Sequence, residues 1–223
     1  MISKCFANFI SCVESLAKIF CNRSFAVRSP QLGSRVAVKN IVYFDLETQR
    51  SFGDVGGFAN KGKMGISVAV TYSTARGTYE IYRDTELDKL GEELCRADLV
   101  VGWNHIQFDY PVLQPHIFPT LADQSINLDM MLDLEQKLGF RLKLDSVASA
   151  TLGTGKTADG LDALKWWQEH KKTGDFAPLR KIAEYCAFDV KVTRFVHEYA
   201  LANGHLKYED RAGQTQEIAV EWA

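Results

Sequence analysis

The stretch that most constrains the fold of this chain is Asn40 to Gln49, which reads Asn-Ile-Val-Tyr-Phe-Asp-Leu-Glu-Thr-Gln. Ile41 to Phe44 is an unbroken apolar and aromatic run of the kind that forms a central strand covered on both faces. Two acids interrupt it. Residues two apart on a strand point the same way, so Asp45 and Glu47 project from one face while Leu46 turns into the core. Neighbouring carboxylates on one face repel, and burial raises the cost unless something positive neutralises them. A divalent cation meets that need, because hard ions such as magnesium and manganese take oxygen ligands. The competing reading is a strand that runs out into solvent with two exposed acids. The two readings part on whether other segments supply partners.

The 223 residues suffice for one domain with a substantial core, and 46% hydrophobic with 24% charged is ordinary for a soluble fold. The net charge of -2 hides an asymmetry: residues 1–35 carry five Lys or Arg against Glu14, which leaves 21 basic and 27 acidic residues elsewhere, a net of -6. A strong nonspecific nucleic-acid binder is normally basic, so a nucleic-acid substrate would be held locally, through metals and a few Lys or Arg. Cys5, Cys12, Cys21, Cys95 and Cys186 form no metal-like spacing, and an odd, scattered set points to free thiols in a reducing, cytoplasmic setting. No stretch is long and apolar enough for a membrane span.

Residues 1–35 differ in character from the rest of the chain. Ile2, Phe6, Phe9, Val13, Leu16 and Phe20 recur at helical spacing, and Asn22 to Arg35 reads as a linker. An amphipathic helix that docks on the domain or a partner, a targeting leader, and an extension with no role all fit this pattern. Ser51 to Gly65, with five Gly, reads as a loop whose Lys61 and Lys63 face solvent or phosphate. Ile66 to Tyr72 and Thr78 to Tyr82 form a predicted hairpin, Glu86 to Ala97 a surface helix, and Leu99 to Trp103 a strand parallel to the first.

Polar residues return directly after that strand, in Asn104-His105-Ile106-Gln107-Phe108-Asp109, where open sheets place their ligands. Asp109 fits a site acid or a helix start, Asn104 also fits a plain turn residue, and His105 reads as a surface or loop histidine. Ser125 to Leu128 gives a last short strand, with Asp129 capping a helix over Met130 to Leu138. Further helices are expected around Leu144 to Leu152, around Leu161 to Trp167, and over Leu179 to Leu201. Gly153 to Thr157 has the tail of a phosphate-binding loop but lacks its leading Gly, so a P-loop hydrolase rests on Gly155-Lys156-Thr157 alone. In the last helix Tyr185 and Asp189 lie four apart on one face, and His205 to Glu209 with Gln216 to Glu221 reads as a terminal hairpin.

Asp45-x-Glu47, Asn104-x-x-x-Phe108-Asp109 and Tyr185-x-x-x-Asp189, in that order, resemble the three motifs of the tyrosine-bearing branch of the DEDD 3'-5' exonucleases. The run from Leu144 through Trp166-Trp167 to Asp189-Val190 is similar to ribonuclease H-like domains related to the exonuclease domain of family B DNA polymerases and often fused to helicases. The resemblance implies an α/β fold, a ribonuclease H-like mixed sheet flanked by helices, over residues 36–203, with 204–223 as a tail. It implies two magnesium or manganese ions held by Asp45, Glu47, Asp109 and Asp189, with Asp45 bridging, and a water oriented by Tyr185. Leu46, Thr48, Asn104 and Phe108 would meet the terminal nucleotide, the substrate would be a single-stranded 3' end, and a helicase is the implied partner. DNA repair is the implied process. The alternative is a non-catalytic nucleic-acid-binding module that keeps the same fold.

Overall fold

The computed structural model describes residues 39–117, 121–153 and 160–222. The amphipathic leader, the linker and Lys156 in its loop lie outside the described residues. A five-stranded sheet forms the centre, in the order β3-β2-β1-β4-β5. Its strands are β1 (Ile41–Thr48), β2 (Ile66–Ser73), β3 (Thr78–Arg83), β4 (Leu99–Gly102) and β5 (Asn127–Asp129). β1 is antiparallel to β2 and parallel to β4, β3 closes a hairpin with β2, and β5 is parallel to β4. The helices are α1 (Leu87–Arg96), α2 (Asp109–Leu113), α3 (Leu121–Gln124), α4 (Met130–Leu138), α5 (Leu144–Leu152), α6 (Gly160–Thr173) and α7 (Phe176–Asn203). This is an α/β fold with a mixed sheet flanked by helices.

Strand parity divides the molecule into two cores. Val42, Phe44 and Leu46 face one way with Ala69 and Val100, and Leu87, Leu90 and Leu94 of α1 cover them from one helical stripe. Tyr43 faces the other way with Val68, Val70 and Val101, against Ile182, Cys186, Val190 and Val196 of α7. Asp45 and Glu47 share Tyr43's parity, so β1 aims both acids toward the side that α7 covers. The pairing of β1 with β2 is regular to Glu47 and Val68 and then skips Ser67, so that Thr48 pairs with Ile66. Such an irregularity bends a strand and re-aims the residues beside it. Here it falls at the acid end of β1.

The C-terminal residues form a second, two-stranded sheet of β6 (His205–Glu209) and β7 (Thr215–Ala219). Leu206, Ile218, Val220 and Trp222 join the α7 core, and the Trp222 indole donates to Asp133 Oδ2 at 2.9 Å.

Three sequence expectations change. Ser51 to Gly65 is not loop throughout, since Phe58–Lys63 forms a 3-10 turn. The helix expected around Leu161 to Trp167 runs longer, Gly160–Thr173, and among its described residues Ala163 and Trp167 are buried while Leu161 is exposed. His105 is in a loop but fully buried, with no surface exposure, because its ring packs against Gly102 and edge-on to Tyr110 at 5.0 Å.

Candidate active site

Asp45 and Glu47 come from the end of β1, and Asp189 from the middle of α7. Carboxylate oxygens of all three lie within 4.8 Å of one another. Burial holds the Asp45 carboxyl well above the usual carboxylate range, and the charges of Asp109, Asp189 and Glu47 push the same way. Glu47 rises for the same reasons: burial, then Asp189 and Asp109. The Cys186 thiol, buried beneath, donates to the Asp45 backbone oxygen at 3.3 Å and to Oδ2 at 3.5 Å. Among the described residues it favours the charged form of Asp45.

Asp109 opens α2, with Phe108 as the cap residue. Burial, then the charge of Asp129, pushes its carboxyl up to about 8, opposed by hydrogen bonds from its own amide and from the amide of Leu46. Its Oδ1 is buried with no hydrogen-bond partner among the described residues. Asp109 therefore stands beside the three-acid group, acting on it through charge and joined to β1 through Leu46. Tyr185 hydrogen-bonds to Asp189 one turn away, and burial together with the Asp189 charge raises its phenol, which keeps its proton.

A buried carboxylate oxygen without a partner, next to three acids that repel one another, is the donor set a hard divalent cation requires. Asp45, Glu47 and Asp189 fit such an ion in type and spacing, and Asp109 acts on Asp45 and Glu47 through its charge.

The residues expected to meet substrate are placed differently from one another. Leu46 is buried in the α1 core, and its amide goes to Asp109, so it offers a ligand neither. Thr48 is buried, its hydroxyl donating to the Arg50 carbonyl at 3.0 Å. Asn104 adopts the left-handed conformation at φ 67°, and its side-chain oxygen is buried without a partner among the described residues. Phe108 is half-buried, edge-on to Phe52 at 5.7 Å.

Asp129 caps α4 through Leu132, as its sequence position indicates, but it also accepts the amides of Asn104 at 2.8 Å and Ile106 at 3.0 Å. It thereby shapes the loop that delivers Asp109. Nothing local in the sequence signals that second role. Cys186 is visible beside Tyr185, yet its contact with Asp45 spans 141 positions of chain.

The family model of the RNase H superfamily, RNase_H_2, matches residues 42–201. The chain belongs to the RNase H superfamily. The matched span starts in β1 and ends in α7, so it contains all four site acids and Tyr185. No curated protein matches the chain. A nuclease-type fold with an acid cluster able to hold metal is what membership and geometry establish together.

Proposed function

We propose that this RNase H superfamily member is a 3'-5' exonuclease of the tyrosine-bearing DEDD type, releasing nucleoside 5'-monophosphates from single-stranded 3' ends. The observation that carries this reading is the convergence of Asp45, Glu47 and Asp189, from two separate elements, to within 4.8 Å, with the Tyr185 hydroxyl hydrogen-bonded to Asp189. Asp45, Glu47, Asp109 and Asp189 would hold two divalent ions, magnesium or manganese. Bound there, such ions lower the pKa of water and neutralise charge on the attacking and leaving oxygens.

The chain's own residues supply the rest. Tyr185 keeps its proton and donates it in a hydrogen bond to Asp189, so its hydroxyl oxygen orients a water by accepting from it rather than acting as a base. The Asn104 side-chain oxygen and Phe108 line the wall beside Asp109, and Thr48 follows the acids on β1. With Leu46 enclosed and the Thr48 hydroxyl turned to the Arg50 carbonyl, Asn104 and Phe108 are left to meet the terminal nucleotide.

The net charge of -6 outside the first 35 residues favours a second reading, in which a partner such as a helicase supplies the grip on nucleic acid. Incubation with end-labelled single-stranded DNA and RNA, in magnesium, manganese or EDTA, separates the readings. A metal-dependent ladder shortening from the 3' end, absent in Asp45→Ala, is the expected result. Absence of cleavage of both polymers by a folded, metal-binding protein would leave the binding module.

A further inference from the structure

The loop leaving β1 carries Phe52, 39% exposed, and Phe58, 54% exposed. Their ring centroids are 5.4 Å apart, and Phe52 meets Phe108 edge-on at 5.7 Å. Phe108 directly precedes Asp109, so a row of three rings runs from open surface to the segment that carries Asp109. A contiguous exposed apolar patch beside a candidate site calls for an occupant.

The row is held in place. Gly62 approaches α2 and the 3-10 turn that follows it at Gln114–His116 so closely that a Cβ there would lie 3.0 Å from Pro115 Cγ and 3.4 Å from the Pro111 carbonyl oxygen. The Lys61 ammonium donates to the carbonyl of Gln107 and lies 3.7 Å from the centroid of the Phe58 ring. Arg141 donates to the side-chain oxygen of the same Gln107. Burial, then the charge of Arg141, lowers the Lys61 pKa, so two cations converge on one residue of the loop that leads to Asp109. Arg141 is answered by Glu135 at 3.0 Å, whereas Lys61 is held by a carbonyl and a ring, with ammonium protons to spare.

We propose that Phe52, Phe58 and Lys61 form a stacking platform for single-stranded nucleic acid, taking unpaired bases on the rings and a phosphate on the ammonium. A body with a net charge of -6 attracts phosphates weakly, so stacking, which every base allows, supplies the grip that charge does not. A base inside a duplex has no free face to offer, which makes the platform selective for single strands without reading sequence. The direction of the bound strand rests on the exonuclease reading of the acid cluster; the binding itself is measured apart from it.

The test is fluorescence anisotropy of the full chain, in EDTA, with labelled oligothymidylate, an abasic strand of equal length, and a blunt duplex. Oligothymidylate is expected to bind tightest. Phe52→Ala and Phe58→Ala should each weaken it about tenfold while leaving the abasic strand unchanged. Phe58→Leu should behave like the alanine variant and Phe58→Trp should restore binding, which excludes a folding defect as the cause. Lys61→Gln should flatten the dependence of log affinity on log salt by about 0.7. The platform is overturned by an abasic strand that binds as tightly as oligothymidylate, by ring variants that bind like the wild type, or by a wild type that binds neither strand. Ring-dependent binding without metal-dependent cleavage would keep the platform and remove the nuclease; cleavage with binding unaffected in the ring variants would do the reverse.

Discussion

Asp45 is acted on by the charges of three other acids, Asp109, Asp189 and Glu47, and among the described residues the Cys186 thiol favours its ionised form. Folding of the metal-free protein at neutral pH must therefore either bury its charge among these acids or bind a proton that the unfolded chain has released, and both oppose folding. Asp45→Asn should raise the metal-free Tm by a few degrees, about 1 kcal/mol or more, while abolishing cleavage. Magnesium should raise the wild-type Tm and leave the variant nearly unmoved. A lower Tm for Asp45→Asn in EDTA would show that the acids are not in conflict. Tyr185 makes the complementary case: Tyr185→Phe removes only the hydroxyl on Asp189, so single-turnover cleavage should slow about 100-fold with Tm little changed. Both residues were legible in the sequence because their geometry is local, strand parity for Asp45 and Glu47 and one helical turn for Tyr185 and Asp189. Asp129 and Cys186 were not, because the atoms they serve lie 25 and 141 positions away and only the folded chain brings them together.

At the scale of elements, β4 and the loop after it decide where Asp109 sits. A Cβ on Gly102 would lie 2.7 Å from His105 Nδ1 and 2.9 Å from Cγ, so the strand ends where the imidazole needs the space. His105 is tied in turn to Asn127 Oδ1 at 3.2 Å, and Asp129 fixes the amides on either side of it. Gly102→Ala should displace the ring and with it the loop carrying Asn104 and Asp109, lowering Tm by several degrees, about 2 kcal/mol, and cutting cleavage more than stability alone explains. Thermal melts and turnover at a temperature where the variant is folded check this; an unchanged rate would detach the loop from the site. The elements themselves were readable from periodicity: the β2–β3 hairpin, α1, α4 and α7 are close to where apolar spacing puts them. The 3-10 turn at Phe58–Lys63 was not, since its Gly-rich sequence has no apolar period and it is held by packing on α2.

Over the whole molecule two sets of buried groups set the pH response with opposite signs. Burial, with the charge of Lys39, pushes His197 down to about 4, and burial lowers His105 in the same direction. A histidine whose folded pKa lies below its unfolded value of about 6.5 binds protons more readily when unfolded, so stability falls as pH drops from about 6.5 toward 4. The site acids do the reverse. Asp109 at about 8, against an unfolded value near 4, holds its proton in the fold while the unfolded chain has lost it, so stability falls as pH rises through that range. Between about pH 4 and 6.5 the two slopes oppose; between about 6.5 and 8 only the acids act. Metal-free protein should therefore lose stability from pH 6.5 to 8, by about 1.4 kcal/mol per pH unit for each acid still protonated in the fold. A bound divalent ion favours the ionised acids, so saturating magnesium should remove this alkaline loss and leave the histidine branch exposed as an acid-side fall. Melting curves across this pH range in EDTA and in magnesium measure both branches at once. If the two curves keep the same slope between pH 6.5 and 8, the acids do not share a cation and the metal-dependent reading of the site fails with them.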